Sequence, residues 1–148
     1  MGGWIALLLA RRMAVRAVVG IAPAPDFTED LMWAEFTPEQ RAAIERDGLW
    51  MRPSEYGAPY PITRALIEDG RRHLLLRGPL ALEVPLRILQ GQQDPDVPWD
   101  HALRIAKAVT GGDVRVQLIK DGDHRLSRPQ DLALLGETLA PLLREDAG

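Results

Sequence analysis

Residues 15–22 (VRAVVGIA) place the strongest constraint on how this chain folds. The run is mostly apolar, carries three valines and an isoleucine, and stops at Pro23. β-Branched side chains favour extended backbone. An extended run with almost no polar alternation needs protein on both of its faces, and that is the setting of a parallel sheet between helices. Residues 86–90 (LRILQ), following Pro85, and residues 114–119 (VRVQLI), which alternate, give two further strands. Helical patterns separate them. Gly2-Gly3 precede a helix to about Arg12, read as buried. Trp99 to Val109 is amphipathic, with Ala102, Ile105, Ala106 and Val109 on one face and Gly111-Gly112 at its end. A last helix runs from about Pro129 to Arg144, with Leu132, Leu135, Leu139, Leu142 and Leu143 facing inward. Strands alternating with helices predict an α/β fold with parallel strands and right-handed crossovers. The first strand is expected to have one open edge.

The stretch 23–61 changes character: it is rich in proline and carries Trp33 and Trp50. Thr37-Pro38-Glu39-Gln40 starts a helix, with Thr37 as cap, Pro38 in the first turn and Gln40 closing a capping box. That helix ends near Gly48. Residues 62–76 suggest another, with Gly70 as its weak point.

At 148 residues the chain is read as one domain able to bury a core. Its net charge of -3 is spread along a mixed sequence with no long basic run, which speaks against nucleic-acid binding. It has no cysteine, so disulfides, thiol nucleophiles and thiolate metal sites are excluded, and a cytoplasmic location is the expectation. The apolar run WIALLLA is followed, not preceded, by Arg11 and Arg12 and is too short to span a bilayer, so neither a signal peptide nor a membrane span is expected.

Two residues carry candidate chemistry. Asp94 and His124 each lie in a loop after a strand, and in open α/β sheets sites gather at the C-terminal strand ends. A carboxylate there can fix a histidine tautomer and stabilise the imidazolium. The plainer account is a surface Asp and a surface His in two polar loops. Asp96 reads as loop-shaping or solvated, and Asp123 adjoins His124 too closely in sequence to serve it well. A metal set of Asp94, Asp96, Asp100, His101 and His124 matches no common ligand spacing. The two serines are Ser54, in a Pro/Tyr-rich stretch that suits a turn, and Ser127, near the start of the last helix. Neither sits in a Gly-x-Ser-x-Gly elbow, so neither reads as a nucleophile.

Three motifs in order resemble the α/β-hydrolase family. Met1-Gly2-Gly3-Trp4 is similar to the portion that follows the serine of the Gly-x-Ser-x-Gly-Gly elbow. Gly91, Asp94, Val97 and Pro98 match its GxxDxxVP acid loop, and Gly122-Asp123-His124 its histidine loop. The runs DLMWAEFTPEQRAAIERDGLW and YPITRALIEDGRRHLLL resemble cap segments of acyl-protein thioesterase and acyl-glucuronide esterase relatives. The resemblance implies the C-terminal part of a three-layer sandwich, mainly parallel, with a helical cap inserted at about 24–80. It implies hydrolysis of small carboxylic esters or thioesters, with His124 as general base and acid and Asp94 orienting it. The serine would fall just before residue 1, and the Met1 backbone N–H would join the oxyanion hole. Trp33, Phe36, Trp50, Tyr56 and Tyr60 would wall an acyl pocket, plain packing within the cap being the alternative for each. No metal and no organic cofactor is implied. The competing expectation is a non-catalytic fragment or pseudo-enzyme that associates through its open sheet edge. A flavodoxin-type binding domain would need a glycine loop after a strand, whereas Gly111-Gly112 follows a helix.

Overall fold

The computed structural model describes residues 1–54 and 57–144. Two compact units are present, one built from residues 1–25 and 75–148 and the other from residues 26–74. None of the described helices is long and apolar enough to cross a membrane.

The first unit opens with α1 (Gly2–Ala10), followed by β1 (Val18–Ile21). It resumes with β4 (Leu86–Gly91), α4 (Trp99–Ala108), β5 (Val114–Ile119) and α5 (Pro129–Leu143). The strand order is β1-β4-β5, and both pairings are parallel, with Val18 opposite Leu86 and Leu86 opposite Val114. The β4 strand is central and almost wholly buried, as expected of a strand covered on both faces. Leu7, Leu86, Ile88, Leu89, Ala102 and Ile105 form much of its core. The α4 helix buries Ala102 and Ile105 as its periodicity predicts, and His101 with them.

Two helices depart from expectation. On α1, Trp4 and Leu7 are buried, but Ile5 and Leu9 are exposed. The helix is apolar all round, so the first unit covers one side of it and leaves the other bare. On α5, Leu132 and Leu143 are exposed, and Asp131 is the fully buried residue. Leu135, Leu139 and Leu142 share the face of Asp131 and are half-buried, as their spacing predicts, whereas Leu132 and Leu143 lie at its margin. Asp131, buried and paired with the half-buried Arg128, lies on that same face.

The second unit contains a turn of π-helix (Thr28–Met32), a 3₁₀ turn (Trp33–Glu35), α2 (Pro38–Asp47), β2 (Leu49–Ser54), β3 (Gly57–Thr63) and α3 (Arg64–Arg71). The start of α2 follows the sequence closely: Thr37 Oγ1 accepts the Gln40 N–H, and Gln40 Oε1 accepts the Thr37 N–H. Gly48 ends the helix in the left-handed region at φ 83°, which suits a residue without Cβ. The antiparallel hairpin of β2 and β3 replaces the irregular, partly helical stretch expected here. Pro53, Pro59 and Pro61 disguise it, and they are tolerated because each strand has only one partner. The α3 helix is shorter than the expected 62–76, since Ile62 and Thr63 belong to β3 and the Thr63 hydroxyl caps the helix by accepting the Leu66 N–H. Met32, Phe36, Ile44, Ile62 and Ile67 make this unit's core, with Phe27, Trp33 and Trp50 packed against it.

Candidate active site

Adjacent parallel strands end side by side, so the loops after β4 and β5 leave the sheet at the same edge. Gly91, the last residue of β4, lies opposite Ile119, the last of β5. The loops are then laced together: the Gln92 N–H donates to the Ile119 carbonyl at 2.8 Å, and the Gln93 N–H to that of Gly122 at 2.9 Å. Gly91 is required by this closeness. A Cβ there would sit 2.2 Å from the Gly122 carbonyl oxygen and 2.5 Å from that of Asp123.

The two predicted residues meet across this junction. His124 Nδ1 lies 2.8 Å from Asp94 Oδ2. The Asp94 side chain is fully buried, whereas that of His124 is 44% exposed. Asp94 Oδ1 accepts the N–H groups of Asp96 (2.8 Å) and Val97 (2.9 Å), an Asx-type turn that orients the carboxylate. Asp94 Oδ2 also accepts from Gln90 Nε2 at 3.2 Å. Because a carboxylate accepts at Nδ1, the neutral ring carries its proton there, and Nε2 is left as the acceptor. His124 Nε2 has no hydrogen-bond partner among the described residues.

Neighbouring acids shape the loops. Asp96 gives its backbone N–H to Asp94 and keeps its own side chain exposed. Asp123 does not compete for His124, since its Oδ1 accepts the N–H groups of Arg125 (3.1 Å) and Leu126 (2.9 Å). That turn sets Leu126 at φ 44° with its side chain buried, an anchor just past the histidine.

A second clamp, missed in the sequence, secures the end of the histidine loop. Arg128 donates from Nε (2.8 Å) and Nη2 (2.9 Å) to the two oxygens of Asp131, and from Nη1 (2.6 Å) and Nη2 (3.1 Å) to those of Asp121. Its hydrogen bonds to Asp131 and Asp121 raise the Arg128 pKa, and the same bonds hold both carboxyls below their ordinary range. Arg128 is also the N-terminal cap residue of α5, its N–H donating to Asp131, so Ser127 does not fill the starting role expected of it.

The remaining candidates fall elsewhere. His101 is buried on α4 and its Nε2 donates to the Pro25 carbonyl at 2.9 Å, which sets it apart from the dyad. Ligand atoms of Asp94, Asp96 and His124 lie within 4.8 Å of one another, but both Asp94 oxygens are already engaged. Met1 caps α1, its carbonyl accepting from Trp4 and Ile5, and Gly3 lets that helix approach Pro23, where a Cβ would meet the Pro23 Cβ at 2.6 Å. Phe36 is buried in the second unit's own core, edge-on to Trp33 (6.3 Å) and Trp50 (5.4 Å). The Trp33 ring is flanked by Arg41 and Arg71, and Tyr60 is exposed on β3. Tyr56 lies outside the described residues.

The fold is shared with known structures. A protein from Agrobacterium vitis S4, whose crystal structure is named as a candidate hydrolase, is 41% identical and superposes with a TM-score of 0.92 over 97% of this chain and 59% of its own. This is a partial α/β-hydrolase fold. Mouse alpha/beta hydrolase domain-containing protein 10 is similar as well, at 35% identity and a TM-score of 0.83, over 95% of this chain and 57% of its own. Among curated proteins, the human palmitoyl-protein thioesterase ABHD10, mitochondrial, is 33% identical over 147 residues, or 97% of this chain. The chain spans about half the length of the curated relatives it matches. No family model matches it.

Proposed function

We propose that this chain supplies the acid–base dyad of a serine-type acyl hydrolase acting on small carboxylic esters or thioesters. The observation that carries the reading is the 2.8 Å contact between His124 Nδ1 and the fully buried, fully engaged Asp94. His124 Nε2 takes the proton from a nucleophilic hydroxyl as its oxygen bonds to the acyl carbon. Collapse of the adduct breaks the bond to the leaving alkoxide or thiolate, which receives that proton. Water then repeats the cycle on the acyl-enzyme, and Asp94 holds the tautomer throughout. The nucleophile is assigned to polypeptide preceding residue 1, as in the elbow that Met1-Gly2-Gly3 resembles, with the Met1 N–H in the oxyanion hole. Trp33, Trp50, Tyr56 and Tyr60 are assigned to acyl recognition, while Phe36, buried in the second unit's core, is assigned to packing. In isolation the chain is proposed to self-associate through the open edge of β1.

The test joins the N-terminal portion of the mouse relative ahead of Met1 and follows hydrolysis of a p-nitrophenyl ester and an acyl thioester. His124→Ala is expected to lower kcat by about 10²–10⁴. The isolated chain is expected to show no hydrolysis above its own His124→Ala form. A folded chimera whose activity survives His124→Ala sinks the reading.

A further inference from the structure

Gln90 is a polar residue in the otherwise apolar interior of β4, and it is fully buried. Its Nε2 faces three acceptors: Asp94 Oδ2 at 3.2 Å, the Gly91 carbonyl at 3.1 Å and the Val97 carbonyl at 3.2 Å. That surrounding settles the orientation of the amide, because the reverse would set its oxygen against three oxygens. Its Oε1 is buried with no partner among the described residues. A leucine or methionine would fill the same space without an unmet acceptor. What only the amide can do is donate into the acid loop. It ties together the loop's first carbonyl, its carboxylate and its last carbonyl.

The tie has a direct consequence for the histidine. Asp94 Oδ1 is fixed by the Asp96 and Val97 N–H groups, which alone leave the carboxylate free to swing Oδ2 about that anchor. Gln90 donates to Oδ2 and removes that freedom. Oδ2 is the oxygen that meets His124 Nδ1.

We propose that Gln90 is a positioning residue for the dyad: its amide fixes the plane of the Asp94 carboxylate and thereby holds neutral His124 in the Nδ1–H form. It touches no substrate and acts through Asp94. The proposal rests on the dyad reading above and adds a third member to it.

The test is ¹⁵N NMR of His124 in the intact chain at a pH where the ring is neutral. Wild type is expected to show a protonated Nδ1 and an unprotonated Nε2. Gln90→Met keeps the side-chain length and removes the donors, and it should give a mixture of tautomers. Gln90→Asn keeps the amide but withdraws it by one methylene, and it should do the same; it decides the matter if the Met variant does not give a dispersed, folded spectrum. Asp94→Asn is the control. If Asp94→Asn changes the tautomer and neither Gln90 variant does, the role given to Gln90 is wrong while the dyad stands. If Asp94→Asn leaves the tautomer unchanged, the dyad reading itself fails. In the active chimera, Gln90→Met should lower kcat about tenfold with KM unchanged, since outer partners of a functional side chain act on its alignment; an unchanged kcat overturns the proposal.

Discussion

Gly91 is the residue on which the meeting of the two loops depends. Its missing Cβ makes room for the carbonyls of Gly122 and Asp123, and both are backbone atoms that cannot rotate away. Gly91→Ala is therefore expected to push the histidine loop off the end of β4. The cost should be on the order of 3 kcal/mol, as for an overpacked site that must shift backbone, and a lower urea midpoint at unchanged slope would show it. The same variant should weaken the His124–Asp94 contact, and an unchanged midpoint would show that the loops are more compliant than their geometry implies. Much at this scale was legible beforehand. Asp94 and His124 announced themselves by lying after strands, and Gly91 by its place in the GxxDxxVP pattern. Gln90 was not legible, because a single glutamine at the end of LRILQ reads as a strand leaving the core. Only its three acceptors reveal it as the floor of the acid loop.

At the scale of elements, α5 is tied to the histidine loop by charge. Arg128 bridges Asp131, at the buried start of the helix, to Asp121, at the start of the loop. Both carboxyls are held below their ordinary range by that guanidinium. A carboxyl whose folded pKa is depressed stabilises the fold fully above its unfolded value of about 3.9, and the contribution is lost as pH falls through the lower folded value. Stability should thus decline as the medium is acidified below about pH 5. Arg128→Met should lower stability at neutral pH and flatten that acidic decline, which urea titrations of both proteins between neutral and acid pH would show. Parallel acid limbs in the two proteins would mean that the clamp does not govern them. The three parallel strands, α2 and α4 were readable because burial and capping leave a periodic trace. The β2–β3 hairpin was not, since its prolines mimic a loop and its pairing lies only between its own two strands.

The whole molecule is asymmetric at the two edges of its parallel sheet. The β5 edge carries Arg115 and Gln117, and charged or polar residues blunt an edge against further pairing. The β1 edge carries no charge at all. Val18 and Ala22 turn their N–H groups toward β4, so by the period of two Val19 and Ile21 direct theirs to the open side. Next to that edge, α1 packs on β1 and presents Ile5 and Leu9, with Met1 before them and Met13 beyond, all 47–64% exposed. Their spacing of four places the helical members on one face. Unpaired backbone beside an apolar stripe is a surface that water covers poorly and that another strand and helix would cover well. The isolated chain should therefore self-associate, with a weight-average mass in sedimentation that rises with concentration. Val19→Lys, which places a charge on the open edge, and Ile5→Glu with Leu9→Glu, which makes the stripe polar, should each return it toward the monomer. In the chimera the same association should be absent where the upstream polypeptide pairs with β1. A wild-type chain that stays monomeric across the concentration range would overturn the proposed use of this edge and leave the dyad untouched.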